Sequence, residues 1–146
     1  MKDKYSVFVS HSSEDKIEYV DDLVEEIKRL GISVFYDKDV ITWGDNLKEK
    51  IDSGLKSCEL ALIVISPSYF GKEWTEYELK MLLERQDKEN NKLILPILYR
   101  TSKEEFVKHY PSLKHILFKH AKSQSKKSLA FDLKNELDKK HMAKVS

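Results

Sequence analysis

Apolar positions along this chain fall into two kinds of pattern. Short unbroken runs alternate with stretches in which apolar residues recur every three or four positions. Residues 5–10 form the first run, β-branched and aromatic, with Val7, Phe8 and Val9 consecutive, as in a strand covered on both faces. In the polar turn after it, 11–15, Ser12 and Asp15 have the spacing of a capping box. Ile17, Val20, Leu23, Val24, Ile27 and Leu30 then trace the apolar stripe of a helix that ends at Gly31, the residue expected at a left-handed cap.

The alternation repeats. Residues 32–37 predict a second strand and 38–46 a polar loop containing Trp43, Gly44 and Asp45. Leu47, Ile51 and Leu55 share one face of a helix over 47–56. Residues 60–66 are the most apolar run and predict the central strand; Leu79, Leu82 and Leu83 stripe a helix over 74–88. Residues 93–99 predict a fourth strand in which Pro96, unable to donate to a ladder, belongs at an edge or bulge. Phe106, Val107 and Tyr110 suggest a short helix, 116–118 a last short strand, and Leu129, Phe131, Leu133 and Leu137 a closing helix over 125–139. Residues 1–140 then make one domain, with 141–146 a frayed tail or the start of a linker. Strand and helix alternating about five times predict an α/β fold, a flavodoxin-like three-layer sandwich. Its central parallel sheet of about five strands has helices on both faces.

Composition narrows the function. Charged residues make up 35% of the 146 positions, above the usual level of about 25%, as polar helix faces require. The formal charge of +1 supplies no basic field for nucleic acid. Cys58 is the sole cysteine, so no intrachain disulfide forms, and it reads as a small buried residue. No apolar run approaches the ~20 residues of a membrane span, and residues 1–4 lead into a strand rather than a signal peptide. The expectation is a soluble, cytoplasmic protein with no membrane partner.

Most familiar chemistries lack their residues. Neither a P-loop nor a G-x-G-x-x-G is present, no serine sits in a G-x-S-x-G elbow, and no Cys or His cluster has metal spacing. The acidic cluster that a receiver domain carries after its first strand is replaced by Ser10 and His11. Acid–base or electrostatic work by a carboxylate remains. Trp74 and Glu78 lie four apart, on one helix face, with Glu78 at the edge of the apolar stripe. The helix follows the central strand, whose carboxyl end is where open α/β sheets hold ligands. On this stretch alone a solvated helix glutamate is the favoured reading of Glu78, because Asp and Glu are mostly exposed.

Five segments together resemble the TIR (Toll/interleukin-1 receptor) domain family in its bacterial style. They are residues 5–16, 31–37, 44–47 with 51–55, 62–70 followed by Trp74, Glu78 and Leu79, and 95–97. Each is short, but their order is the family's and they span roughly residues 4–137. The resemblance implies two activities: TIR–TIR assembly, and cleavage of NAD+ at the nicotinamide–ribose bond to give ADP-ribose or a cyclic isomer. In enzymatic members the catalytic glutamate lies four residues after the tryptophan, which carries over to Glu78, with Trp74 in its matching place. NAD+ is then substrate, and no cofactor is implied.

Substrate contacts are expected from Ser10 and His11 at the end of the first strand, from Tyr36 and Asp37, from Trp43 in the loop and from Trp74. His11 has a second reading, as cap of the next helix, and Phe35 reads as core. Self-association through the 38–46 loop, by the resemblance, implies concentration-dependent activity. Bacterial antiphage signalling is the expected setting, with a separate effector protein sensing the product. Two alternatives stand: a non-enzymatic interaction module working through the same loop, and a secreted virulence effector acting on host TIR signalling. A flavodoxin-like small-ligand binder is a more distant reading.

Overall fold

A computed structural model describes residues 5–145. Five parallel strands, β1 (Val7–Ser10), β2 (Val34–Phe35), β3 (Leu60–Ile65), β4 (Ile94–Leu98) and β5 (Lys119–His120), pair in the order β2-β1-β3-β4-β5. This is the flavodoxin-like plan the alternation predicts. All six residues of β3 are buried, because it lies between β1 and β4 with helices over both faces.

Alternate side chains of each strand serve two separate cores. Val7, Val9, Leu62 and Val64 pack with Leu23, Val24 and Ile27 of α1 (Asp21–Arg29) and with Leu129, Leu133 and Leu137 of α6 (Lys126–Val145). Phe8, Ala61, Ile63 and Ile65 face the other way. They meet Ile51 and Leu55 of α3 (Leu47–Ser57), Leu79 and Leu82 of α4 (Glu73–Glu89), and Phe106 of α5 (Lys103–His109). Short α2 (Asp37–Val40) occupies the start of the stretch predicted to be loop.

The first helical segment departs most from its predicted form. It begins as a 3₁₀ turn, Ser13–Asp15, passes through a π-type turn, Lys16–Val20, and becomes α-helical only at Asp21. The extra residue of the π turn resets the helical register, so Tyr19 and Val20 point into the core while Ile17 is 87% exposed. Asp15 does not complete a capping box. It is buried and accepts hydrogen bonds from Ser66 and Ser68, tying the start of this segment to the end of β3.

Strand ends differ as well. β2 keeps only two of its six predicted residues, and the last strand is Lys119–His120, both exposed, rather than 116–118. Pro96 is tolerated for a geometric reason. Tyr99 donates to Ile65 of β3, whereas Leu98 accepts from Ala121 on the opposite side; by alternation Pro96 turns its donor-less nitrogen away from β3. β5 pairs with β4 only at Ile97 and Leu98, so no ladder bond is missing at Pro96. In α6, Ala130 is buried and Phe131 is half-exposed, and the helix continues past 139 to Val145, with His141 Nε2 2.9 Å from Glu59 Oε2. Among the described residues no helix is long and apolar enough to cross a membrane, and no three His, Cys, Asp or Glu side chains are placed to hold a metal ion.

Candidate active site

Strand order reverses between β1 and β3, and the crevice beyond their carboxyl ends is where such sheets hold ligands. A cavity of about 260 Å³ opens there. Ser10, the last residue of β1, is fully buried, and its Oγ donates to Glu78 Oε1 on α4 at 2.7 Å. The same Oγ lies 2.8 Å from the hydroxyl of Tyr69, itself wholly buried in the turn after β3. Thr75 donates from Oγ1 to the Tyr69 carbonyl at 2.6 Å, locking that turn to the first turn of α4. Glu78 is thus held by Ser10, remote in sequence, and Ser10 is itself braced by the Tyr69 turn just before α4.

Burial pushes the Glu78 carboxyl up to about 8; the Ser10 hydrogen bond opposes this and the negative charge of Asp37 adds to it. Free protein therefore holds Glu78 largely neutral at pH 7, poised to ionise when a positive charge enters the cavity. His11 also lines the cavity, with 4% of its side chain exposed and Nε2 3.8 Å from Asp37 Oδ1. Burial lowers its pKa, partly offset by Asp37, so its imidazole is neutral. The side-chain cap of the following turn is Ser12, not His11. Asp37 lines the cavity too, 44% exposed and 3.2 Å from Lys16 Nζ.

Trp74 lines the wall one turn before Glu78, edge-on to Tyr77 with ring centroids 5.8 Å apart. Tyr36 and Trp43 lie elsewhere. Tyr36 is buried on the α1/α6 side, donating to Asp21 Oδ1 at 2.5 Å, and it is Phe35, stacked on Phe8, that reaches the cavity. Period-two alternation sends neighbouring residues to opposite faces, so only one of the pair can line it. Trp43 stands fully in solvent.

A sequence model of the TIR domain matches residues 7–135. The chain belongs to the TIR domain family. It is 42% identical over 110 residues to the 2' cyclic ADP-D-ribose synthase BtTIR of Bacteroides thetaiotaomicron, a match covering 75% of this chain and 38% of that protein. It is 38% identical over 105 residues to the NAD(+) hydrolase TcpC of Escherichia coli, covering 72% of this chain and 34% of that one. The chain spans about two-fifths or less of the length of these curated relatives. The fold is shared with the TIR domain of the Toll-related receptor TRR-2 from Hydra magnipapillata, at TM-score 0.73 and 21% identity, covering 92% of this chain and 99% of that one.

Sequence reasoning missed several residues of this TIR domain's cavity. Tyr69 lies behind the cavity, supporting Ser10; its signal was a large aromatic inside a Pro-Ser-Tyr-Phe stretch, where small polar residues are usual. Ile41, Leu47 and Ile51 supply apolar lining alongside Trp74. Lys72 lines the rim and pairs with Glu14, linking the approach to α4 with the turn after β1. That pairing joins residues 58 apart and leaves no local trace.

Proposed function

We propose that this TIR domain cleaves NAD+ at the nicotinamide–ribose bond, with Glu78 as the catalytic residue. The observation carrying this reading is a half-buried carboxyl at the sheet's switch point, oriented by Ser10 at 2.7 Å and held near neutrality by burial. The names of its relatives, cyclic ADP-ribose synthase and NAD(+) hydrolase, support it. Nicotinamide leaves as a neutral molecule from a cationic ring, so no general acid is required. The barrier lies in the positive, oxocarbenium-like ribose that forms as the bond breaks. A carboxylate fixed in a water-poor cleft stabilises that charge, and the cation's approach is itself what favours ionisation of Glu78. Capture by water gives ADP-ribose; capture by an oxygen or nitrogen of the same molecule gives a cyclic isomer. His11 and Asp37 line the route for polar contact with phosphate or ribose, and Trp74 packs the wall. Antiphage signalling, with a separate protein sensing the product, is the setting we favour.

A second reading rests on Trp43, whose full exposure is costly unless the indole meets a partner. In that reading the 38–46 loop recruits another protein and no turnover occurs. One experiment separates the two: wild type and Glu78→Gln incubated with NAD+, products resolved by chromatography and mass spectrometry. Nicotinamide release by wild type alone establishes the enzyme, and the ribosyl product distinguishes hydrolysis from cyclisation. Absence of turnover by concentrated wild type supports the interaction module.

A further inference from the structure

A second, larger cavity lies at the carboxyl ends of β4 and β5, of about 610 Å³, within the range of small-molecule sites. Tyr19, on the α1/α6 side of the sheet, forms one wall, whereas Glu78 packs with the opposite side. Tyr99, Arg100, Ser102, His120 and Lys122 complete its polar lining. Among the described residues that line it, two are cationic and none is acidic.

Three features there serve no purpose in the chemistry of Glu78. Tyr19 is 94% buried, yet its hydroxyl has no hydrogen-bond partner, which is costly for a buried polar group. Burial pushes that phenol up to about 12, so it remains a donor. Second, Tyr19 and Tyr99 stack at 4.4 Å, with the Arg100 guanidinium 5.2 Å from the Tyr99 ring and Lys126 Nζ 5.2 Å from that of Tyr19. Third, Arg100 adopts φ +56°, a left-handed conformation that is strained for a non-glycine residue. Its guanidinium, 65% exposed, is paired with Glu18 Oε1 at 3.0 Å but keeps donors for a further acceptor.

We propose that this cavity is a binding site for a small organic phosphate. A phosphate offers several acceptors and up to two charges to Arg100, Lys122, Ser102 and the Tyr19 hydroxyl. The organic portion meets Leu98, Ala121 and the tyrosine edges, which bare inorganic phosphate would leave uncovered.

Residue-resolved NMR tests it, with AMP as probe, adenosine as the uncharged control and inorganic phosphate as the anion alone. AMP is expected to shift the amide signals of Tyr99, Arg100 and Lys122 saturably, with Kd at about the millimolar level or tighter. Adenosine shifts none of them, and inorganic phosphate binds more weakly than AMP. Tyr19→Phe, which keeps the stacked ring, and Arg100→Ala each weaken AMP about tenfold, with the remaining spectrum unchanged. Shifts confined to residues around Glu78, equal binding of adenosine, equal binding of inorganic phosphate, or unchanged affinity in both variants overturns the proposal.

Discussion

The hydroxyl of Ser10 donates to Glu78 Oε1 at 2.7 Å across 68 residues of sequence. A serine ending one strand thereby orients a carboxyl on a helix two strands later and tempers its ionisation. Burial drives the Glu78 pKa upward and this one hydrogen bond holds it down.

That balance predicts a pH profile. If ionised Glu78 is the working form, kcat/KM for NAD+ rises with pH and levels off above about 8. Ser10→Ala removes the bond that favours the charged form, so its midpoint moves to higher pH and activity at neutral pH falls about tenfold. Glu78→Gln lowers kcat by ~10²–10³ above about pH 8, and the gap narrows toward acid pH as the wild-type carboxylate is protonated. A kcat/KM profile that stays flat between pH 6 and 9, as about three units of range, removes Glu78 from the role assigned to it.

The same shift sets stability. The folded pKa of Glu78, about 8, lies above its ordinary value of 4.5, so between those limits the native state binds more protons than the unfolded chain. Its contribution is fully present below 4.5 and is lost as pH rises through 8. Glutamine cannot titrate. Glu78→Gln is therefore expected to gain stability relative to wild type on going from about pH 5 to about pH 9, by at least ~1 kcal/mol. Urea unfolding of both proteins at the two pH values measures it; a constant difference contradicts the shift.

Gly54, on α3, is required by Phe35. A Cβ built there would stand 2.7 Å from Phe35 Cδ2 and 2.9 Å from its Cε2 and Cγ. The ring has little room to yield, being stacked on Phe8 at 4.9 Å and met edge-on by Tyr5 at 5.3 Å. Gly54→Ala should cost about 1–3 kcal/mol by thermal or chemical unfolding. Because Phe35 lines the cavity beside Glu78, KM for NAD+ should rise in the same variant. Unchanged stability together with unchanged KM would show that the ring relaxes freely.

Trp43 is fully exposed and outside the cavity, so its loss should spare the fold. If the 38–46 loop mediates self-association, wild-type specific activity rises with protein concentration, while Trp43→Ala stays at the dilute value throughout. Equal specific activity of wild type over a wide dilution series counts against assembly, whatever the mutant does.

What the sequence by itself determined were the features that burial writes locally. The unbroken run at 60–66 announced a strand covered on both faces, and β3 is central with six buried residues. Gly31, at φ +79°, ends the first helix where a left-handed cap was expected. Spacing put Trp74 and Glu78 on one helix face, and the motif order named the family. Tertiary structure decided the rest, because it depends on which distant segments meet. Strand order brought Ser10 beside Glu78 and Asp15 beside Ser66. The π-type turn at Lys16–Val20 exchanged Ile17 for Tyr19 in the core, since one extra residue per turn rotates every later position while leaving composition unchanged. Phe35 rather than Tyr36 reached the cavity because the face a strand residue occupies follows from its register with β1, not from its own chemistry.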